Sequence, residues 1–330
     1  MDMRAMRLER PGGPEALRPR DVPTPEAREG WTLVRVRAFG LNRSELFTRR
    51  GASPDVRLPR ILGIECVGTV ERSTDPRLPA GTVVAAAMGG MGRRFDGSYA
   101  EFALLPTAQL IPVKTELPWT TLAALPESWL TAWGTLDTLD LRPGHRLVIR
   151  AATSSVGMAA LALAAGGGVE IAATTRDPGK RALLREHGAD HVLLDTGNGI
   201  GDAVRSVWSD GADRIVDLVG GTAVLDSLKA LAPRGRVCNT GILSDTWTIP
   251  GFEPLEDIPS GATLTTYSSS EINHGDRARD AFDGIVRRIE SGACRVGIDR
   301  VFPLEELVAA HRHMEANRAT GKVVAVVHHT

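Results

Sequence analysis

Between residues 146 and 242, short apolar stretches alternate with amphipathic ones, and no other feature of the chain constrains its fold as strongly. The apolar stretches have the length of strands, and the others have helical spacing and end at glycines. The predicted strands are RLVIR (146–150), VEIAATT (169–175), HVLLD (191–195), RIVDLVG (214–220) and RVCNTGI (236–242); the predicted helices are SVGMAALALAAG (155–166), KRALLREHGA (180–189), GIGDAVRSVWSDGA (199–212) and TAVLDSLKALAPRG (222–235). This order predicts a doubly wound α/β fold, with a parallel sheet and helices on both faces.

The segments on either side have a different character. The first third is rich in short strand patterns separated by Pro and Gly, and the C-terminal part is mixed. Strand patterns cover 31–42, 61–71, 81–90, 97–106 and 322–329, and helical patterns cover 118–139, 279–292 and 304–321. We therefore predict a β-rich domain over 1–118, the α/β domain over 119–271, and a return segment, 272–330, that packs back on the first domain.

The bulk composition excludes several classes of protein. With 39 basic and 40 acidic residues the net charge is −1, so no charge excess points to nucleic acid or to an anionic membrane. The longest mostly apolar run, 156–165, is far shorter than the about 20 residues that cross a bilayer, and the N-terminus has no apolar signal core. Three widely spaced cysteines, Cys66, Cys238 and Cys294, are typical of free thiols in a reducing compartment. We expect a cytoplasmic protein.

The turn after the first strand of the α/β domain has the layout of a dinucleotide-binding loop. In such a loop the pyrophosphate lies at a helix N-terminus, where free N–H groups and the helix dipole favour negative charge. Two of the usual glycine positions hold Ala151 and Ser154, and only Gly157 remains. Ala and Ser can stand there if the turn needs no positive φ, and Ser154 would also cap the helix. We expect Ser154, Ser155 and Val156 to face the pyrophosphate; an ordinary βα turn of small residues is the alternative.

The residues that end the second strand discriminate between the two nicotinamide cofactors. An NAD site has an acid about 20 positions after the loop, which binds the ribose hydroxyls. This chain has Thr175 and Arg176 there, with Lys180 one turn further on. A hydroxyl and a guanidinium can bind a 2′-phosphate that a carboxylate would repel. We therefore predict NADPH rather than NADH, although Asp177 follows directly; a solvated turn is the alternative.

An ordered set of motifs along nearly the whole chain resembles the medium-chain dehydrogenase/reductase superfamily, and in particular its zinc-independent quinone oxidoreductase branch. In chain order the motifs are GLNRSEL (40–46), LGIECVGTV (62–70), GSYAEF, LTAWGTL (130–136), LRPGHRLVIRAATSSVG (141–157), HGADHVL, IVDLVGG and ATGKVV (319–324). The resemblance implies a GroES-like catalytic domain, which the C-terminal segment completes, and a Rossmann domain. It also implies a cleft between them that holds NADPH, and a homodimer formed through Rossmann sheet edges. Thr131, Gly241 and Lys322 become further candidates for cofactor binding.

The departures from the superfamily pattern concern its metal sites. In the alcohol dehydrogenase branch a Cys at the position of Asn42 and a His at the position of Ile64 bind a catalytic zinc. Here an amide and an aliphatic side chain replace them, and Glu65 alone cannot make a three-ligand open site. Residues 85–105 contain none of the four cysteines of the structural-zinc lobe. We predict that the chain binds no metal.

The missing zinc ligands favour one type of reaction. Without zinc nothing strongly polarises a carbonyl or holds an alkoxide, so alcohol oxidation is disfavoured. Reduction of a small, fairly apolar quinone or α,β-unsaturated carbonyl fits better, because the charge delocalises onto oxygen and modest hydrogen-bond donors suffice. The alternatives are an enoyl-thioester reductase and a low-turnover NADPH-binding or sensor protein. The Pro-punctuated segment 247–261 would cover the cleft or form an interface.

Few side chains are candidates for catalysis. Asn42 would orient the substrate oxygen or the nicotinamide carboxamide, unless it is a satisfied turn residue. Enoyl-reducing relatives have a Tyr in a GxYP stretch; here the stretch reads GASP, with Ser53 in that place. Tyr267 is a candidate proton donor, although a packing role is favoured for it and for Tyr99. We expect solvent or a ribose relay to deliver the proton.

The remaining polar residues are expected to be structural or solvated. For Glu45 and Glu65 we expect structural hydrogen bonds rather than acid–base catalysis, which needs a raised pKa. The arginines that could line the mouth of the cleft, expected to be solvated, are Arg49, Arg50, Arg93 and Arg94. The histidines expected at the surface are His274, His328 and His329.

Overall fold

A computed structural model describes residues 1–54, 56–197, 199–272 and 275–329. His274, which we expect at the surface, lies outside these ranges. The chain divides into two compact units. The first unit comprises Met1–Leu130, Ile272–Ala293 and Ile298–Thr330; the second comprises Thr131–Glu271 and Cys294–Gly297. Within the described ranges no helix has the length and apolar character needed to cross a membrane.

The elements are numbered in chain order. The strands are β1 (Asp2–Leu8), β2 (Leu17–Pro23), β3 (Trp31–Leu41), β4 (Arg60–Ile61), β5 (Glu65–Arg72), β6 (Val83–Ala87), β7 (Phe102–Pro106), β8 (Ile111–Pro112), β9 (Arg146–Arg150), β10 (Glu170–Thr175), β11 (His191–Leu194), β12 (Ala212–Asp217), β13 (Leu231–Asn239), β14 (Thr263–Thr266), β15 (Ile298–Pro303) and β16 (Lys322–Val326). The helices are α1 (Arg43–Arg50), α2 (Trp119–Ala123), α3 (Pro126–Thr138), α4 (Ser155–Ala164), α5 (Arg181–Glu186), α6 (Ile200–Arg205), α7 (Ala223–Lys229), α8 (Pro254–Asp257), α9 (Asp276–Glu290) and α10 (Leu307–Glu315).

The second unit is built on one parallel sheet. Its strand order is β11-β10-β9-β12-β13-β14, and all its strand pairs are parallel. This is the doubly wound order, in which strands are added on one side of β9 and then, from β12, on the other side, and this switch leaves a crevice at the carboxyl ends of β9 and β12. Val148, Ile215 and Val237 are fully buried at the centre of the sheet, as expected for strands covered on both faces. The predicted parallel α/β sheet is therefore confirmed.

Two predicted helices of this unit are too long. The pattern at 222–235 predicts one helix, but α7 ends at Lys229 and β13 begins at Leu231. Pro233 has no N–H to donate, so a helix could not continue through it. The helix predicted over 199–212 ends at Arg205, ahead of a polar turn that closes at Gly211 with φ +93°. The edge strand β14 is not predicted at all, because TLTT lacks an apolar alternation.

The first unit is β-rich and encloses its own core. A sheet runs β15-β16-β3-β5-β6-β8, with β7 also paired to β3, and a smaller sheet has the order β2-β1-β4. The hairpin of β1 and β2 is absent from the predicted strands. The C-terminal strand β16 pairs antiparallel with β3, where Val324 lies opposite Gly40. This pairing brings Lys322, at the start of β16, beside the end of β3.

Candidate active site

The loop between β9 and α4 is tied together by its own serine. Ser154 is the N-cap of α4; its Oγ accepts from the Gly157 N–H at 3.2 Å and donates to the Ala151 carbonyl at 2.8 Å. Gly157 is required, since a Cβ would lie 2.6 Å from the Ala151 oxygen and 2.7 Å from Ala152 Cα. Ala151 has φ +56°, so the condition under which alanine fits this turn without strain, that no positive φ is needed, is not met. The left-handed backbone there costs about 1 kcal/mol.

The loop leaves two hydrogen-bond donors free of intrahelical partners. The first N–H groups of an α-helix have no acceptor within the helix, and in α4 these belong to Ser155 and Val156. The third, of Gly157, is bound to the Ser154 cap. Ser154, Ser155 and Val156 are half-buried. Together with the helix dipole, these two N–H groups make this end of α4 suited to a phosphate.

The end of β10 carries no free carboxylate at its exposed turn. The buried Thr175 hydroxyl donates to the Asp177 carbonyl at 3.3 Å and accepts from its N–H at 3.1 Å. The Asp177 carboxylate accepts from the Gly179 N–H at 2.9 Å and so caps the short 3₁₀ turn that follows. Arg176 is exposed, and Lys180 is half-buried. The cations here are therefore accessible, whereas the only acid is engaged by the backbone of its own turn.

The loops after β12 and β13 approach each other closely at the same edge of the sheet. A Cβ on Gly241 would lie 2.4 Å from the Leu218 carbonyl oxygen, so only glycine fits this position. The Asn239 amide donates to the carbonyls of Asp217 and Gly241, at 3.2 and 3.0 Å. Thr131, on α3, is buried, and its carbonyl accepts from the Thr135 hydroxyl at 2.7 Å.

A buried arginine at this edge is missed by the sequence analysis. Arg150, the last residue of β9, is fully buried and forms a bidentate pair with Asp195, at 2.9 and 3.0 Å. It also donates to Ser227 Oγ at 2.9 Å and lies 3.6 Å from Asp226 and 3.9 Å from Asp217. The signal was present, since the carboxyl ends of parallel strands meet at one edge. Arg150 and Asp217 end β9 and β12, and Asp195 directly follows β11. The cluster links the loops after β9, β11 and β12.

Asn42 lies in a second polar cluster, buried in the first unit. Its Nδ2 donates to Glu65 Oε1 at 2.8 Å, and its Oδ1 accepts from Lys322 Nζ at 2.6 Å. Lys322 Nζ also lies 2.6 Å from Glu65 Oε1 and donates to Ser128 Oγ at 2.7 Å. These groups are all nearly inaccessible to solvent, and Lys322, placed with the cofactor-binding candidates by its motif, is only 2% exposed. Both ends of the Asn42 amide are therefore bonded, and its second Nδ2 hydrogen makes only a contact of 3.5 Å, with Glu45 Oε1.

Glu45 completes this cluster from α1. It accepts from the backbone N–H groups of Asn42, at 3.0 Å, and Ile64, at 3.2 Å, so it forms the structural hydrogen bonds expected of it. Burial raises the pKa of Glu45 to about 8, against the opposing effect of its N–H donors and of the Lys322 charge. Glu65 likewise accepts from the Glu127 N–H at 2.9 Å.

The residues at the expected zinc position do not fit a metal. Ile64 offers no donor atom, and the oxygens of Glu65 and Asn42 already hold the Lys322 ammonium. No group of three or more His, Cys, Asp or Glu side chains with the arrangement of a metal site occurs among the residues that the structure describes. The absence of metal binding stays a prediction.

The tyrosines and Ser53 occupy packed positions. Tyr99 is fully buried, stacks on Phe39 with ring centroids 4.9 Å apart, and its hydroxyl lies 3.0 Å from His311 Nε2. The half-buried Tyr267 ring lies against α3 where Gly134 has no Cβ: an added Cβ would lie 2.1 Å from the ring. The Ser53 hydroxyl bonds Thr48 Oγ1 at 2.8 Å.

Three expectations of solvated surface residues are wrong, those for Arg49, Arg93 and His329. Arg49 is fully buried, because α1 packs on α10; it bonds the Gly12 carbonyl, the His311 ring and the Glu315 carboxylate. His329 is half-buried, with Nε2 2.7 Å from the Val36 carbonyl oxygen. Arg50, Arg94 and His328 are exposed as expected, and Arg50 pairs with Glu315. Arg93 is half-buried and donates to Ser44.

Comparisons with known proteins agree with this architecture. Residues 28–115 match the alcohol dehydrogenase GroES-like domain family, and residues 187–325 match the zinc-binding dehydrogenase family. A quinone oxidoreductase of Pseudomonas aeruginosa is 30% identical over 95% of this chain and 96% of its own length. Prostaglandin reductase-3 of Bos taurus is 29% identical over 92% of this chain and 83% of its own.

Solved structures show the same similarity. A quinone oxidoreductase of Pseudomonas syringae superimposes with a TM-score of 0.87, with 25% identity, over 99% of this chain and 100% of that one. A mycobacterial protein in complex with NADPH superimposes with a TM-score of 0.88, with 27% identity, over 98% of this chain and 99% of that one.

The fold, the ordered motifs and these similarities together define the class of protein. The chain belongs to the medium-chain dehydrogenase/reductase superfamily, with a GroES-like domain and a Rossmann sheet, as the motifs indicate. Within it the chain is quinone oxidoreductase-like, and it is an oxidoreductase that uses a nicotinamide cofactor. The family described as zinc-binding matches residues 187–325. Asn42 and Ile64 lie outside this range, so the name of the family says nothing about metal binding at these two positions.

Proposed function

We propose that the chain is an NADPH-dependent reductase of quinones or α,β-unsaturated carbonyls that works without zinc. The observation that carries this proposal is the chemistry at the position where zinc-dependent relatives bind their metal. There an aliphatic side chain, an amide and an internal ammonium replace the ligands, so a strong Lewis acid is missing. A reaction that spreads charge over a conjugated system needs less electrophilic assistance than carbonyl or alcohol chemistry does.

The loop geometry supports NADPH as the cofactor. When bound, NADPH supplies the hydride, and the chain contributes binding and orientation. Ser155 and Val156 N–H groups would receive the pyrophosphate at the start of α4. The missing side chains of Gly157 and Gly241 allow the backbone of these loops to pack closely against Ala151 and Leu218. Arg176, which is exposed, would pair with the 2′-phosphate, with Thr175 and Lys180 beside it, while the Asp177 carboxylate of the same turn accepts from the Gly179 N–H.

Asn42 is the side chain that we assign to orienting the substrate oxygen or the nicotinamide carboxamide. One hydrogen of its Nδ2 is bound to Glu65, and the other makes only a long contact of 3.5 Å with Glu45 Oε1. That hydrogen can shift to an oxygen that accepts charge. Tyr267 has the weaker claim to a catalytic role, because its ring is held by packing on α3. We propose that water or a ribose hydroxyl provides the proton.

The test follows NADPH oxidation with matched acceptors: 1,4-benzoquinone, a simple enone, an enoyl thioester and a saturated ketone. The proposal expects turnover with the first two and none with the ketone. Turnover with the thioester alone would identify an enoyl-thioester reductase, and tight NADPH binding without turnover would identify a binding protein. Zinc bound in stoichiometric amount would refute the metal-free mechanism.

We also propose that two copies associate through β14. This strand forms the outer edge of the parallel sheet, where the N–H and C=O groups of alternate residues face away from β13. The neighbouring segment 247–261 exposes two large apolar side chains, Trp247 at 65% and Leu255 at 97%, as an interface segment would. Sedimentation equilibrium of the wild type and of Leu264→Pro, which removes an N–H donor from β14, tests this; a monomeric wild type would contradict it.

A further inference from the structure

We propose that Lys322 is a positioning residue that, together with Glu65, fixes the orientation of the Asn42 amide, and that it is not a ligand of the cofactor. The inference rests on the proposed role of Asn42, and it assigns Lys322 a different role from the one that its motif implies. Three observations support it: the contacts of the Lys322 ammonium, the different partners of the Asn42 amide oxygen and nitrogen, and the space that Gly40 leaves.

The ammonium of Lys322 has no donor left for a cofactor. A lysine ammonium carries three N–H groups. Three acceptors surround Nζ: Asn42 Oδ1 at 2.6 Å, Glu65 Oε1 at 2.6 Å and Ser128 Oγ at 2.7 Å. A second carboxylate, of Glu127, lies 3.8 Å away. Binding a phosphate would require breaking one of these contacts inside a core where an unpaired charge is costly.

The two partners of Asn42 allow only one orientation of its amide. The oxygen must face Lys322, since an ammonium can only donate, and the nitrogen must face Glu65, since a carboxylate can only accept. If the amide were flipped, its NH₂ group would face the Lys322 ammonium, and both groups can only donate. Its oxygen would then face the Glu65 carboxylate, and both groups can only accept. The Lys322–Glu65 pair therefore directs the remaining hydrogen of Nδ2, which is the group that we assign to the substrate.

The surrounding backbone makes room for this pair. A Cβ on Gly40 would lie 2.2 Å from Lys322 Cε and 2.5 Å from Glu65 Oε1, so the glycine two residues before Asn42 leaves the space that the pair occupies. A lysine also suits the site chemically, because a tetrahedral ammonium reaches three diverging acceptors that a planar guanidinium fork would not. The chain has only four lysines among its 39 basic residues.

The orientation can be tested in the protein without cofactor. The chain has five asparagines, so selective side-chain ¹⁵N-asparagine labelling gives at most five pairs of NH₂ signals. The Asn42 signal is identified by its loss in Asn42→Ala. We expect it to move in Lys322→Met and to stay in place in Lys114→Met, which removes an exposed lysine of the same unit. An Asn42 signal that is unchanged in Lys322→Met would overturn the inference.

Kinetics separate positioning from cofactor binding. With NADPH and benzoquinone we expect Lys322→Met to lower kcat about tenfold or more while the Kd for NADPH changes less than about threefold. In the Asn42→Ala background the same substitution should cause no further loss of kcat, because the two residues act as one unit. A raised Kd with unchanged kcat, or losses that multiply, would refute positioning.

Two further variants keep these outcomes distinct. If Lys322→Met fails to fold, Gly40→Ala displaces the ammonium but keeps its charge, and it should produce the same shift of the Asn42 signal and the same loss of kcat. A fully active Lys322→Arg would contradict the argument from three diverging acceptors. If Asn42→Ala leaves kcat unchanged, the proposed function of Asn42 fails, and the amide signal alone then decides whether Lys322 orients it.

Discussion

Replacing Arg150 by methionine tests whether the buried charge cluster stabilises the Rossmann sheet. The variant loses the bidentate pair with Asp195 and the bonds to Ser227 Oγ and the Ala223 carbonyl, while Asp195 and Asp217 stay buried. Removing one partner of a buried ion pair costs about 3–5 kcal/mol. With a urea dependence of about 2 kcal/mol per molar, this predicts a fall of roughly 2 M in the unfolding midpoint.

The assay is urea unfolding followed by circular dichroism, with two comparisons. Arg142→Met removes an arginine whose side chain is 68% exposed and pairs with Asp140, and it should change stability by less than about 0.5 kcal/mol. Arg150→Met combined with Asp195→Leu should recover part of the loss, because the orphaned carboxylate is gone. A midpoint for Arg150→Met equal to that of the Arg142 variant would refute the reasoning.

Three further predictions follow from the sites. Gly157→Ala should destabilise the protein by about 1–3 kcal/mol and weaken NADPH binding measured by fluorescence titration, because its Cβ meets the Ala151 and Ala152 backbone; unchanged binding would contradict the loop assignment. Arg176→Asp should shift the ratio of the Kd values towards NADH, and an unchanged affinity for NADPH would show that Arg176 does not bind the 2′-phosphate. The pKa of Glu45 is raised from 4.5 to about 8, so between these values the folded chain binds more protons than the unfolded one. The free energy of unfolding should then fall with rising pH across this window, by up to about 1.4 kcal/mol per pH unit, and Glu45→Gln should flatten the slope in urea titrations; a slope equal to that of wild type would contradict the raised pKa.

The sequence predicts the Rossmann half of the fold well because its information is local. Strands such as 146–150 are short apolar runs, and the small residues before Gly157 and the cap at Ser154 depend only on near neighbours. The errors also have local causes, since Pro233 ends a helix that composition alone would extend. The positive φ at Ala151 could not be predicted, because alanine rarely adopts it.

The sequence by itself determined the class of protein, the order of the elements and which chemistry is missing: a zinc ligand at Ile64 and an acid at Thr175–Arg176, where the second strand ends. It could not show which distant charges meet. Lys322 and Asn42 are 280 positions apart, and Arg150 and Asp195 are 45 apart. Their pairing follows from β16 lying beside β3 and from the shared carboxyl edge of parallel strands. Because burial gives these contacts their strength, only the tertiary structure decided that Lys322 holds an amide in place and that Arg150 is part of a core.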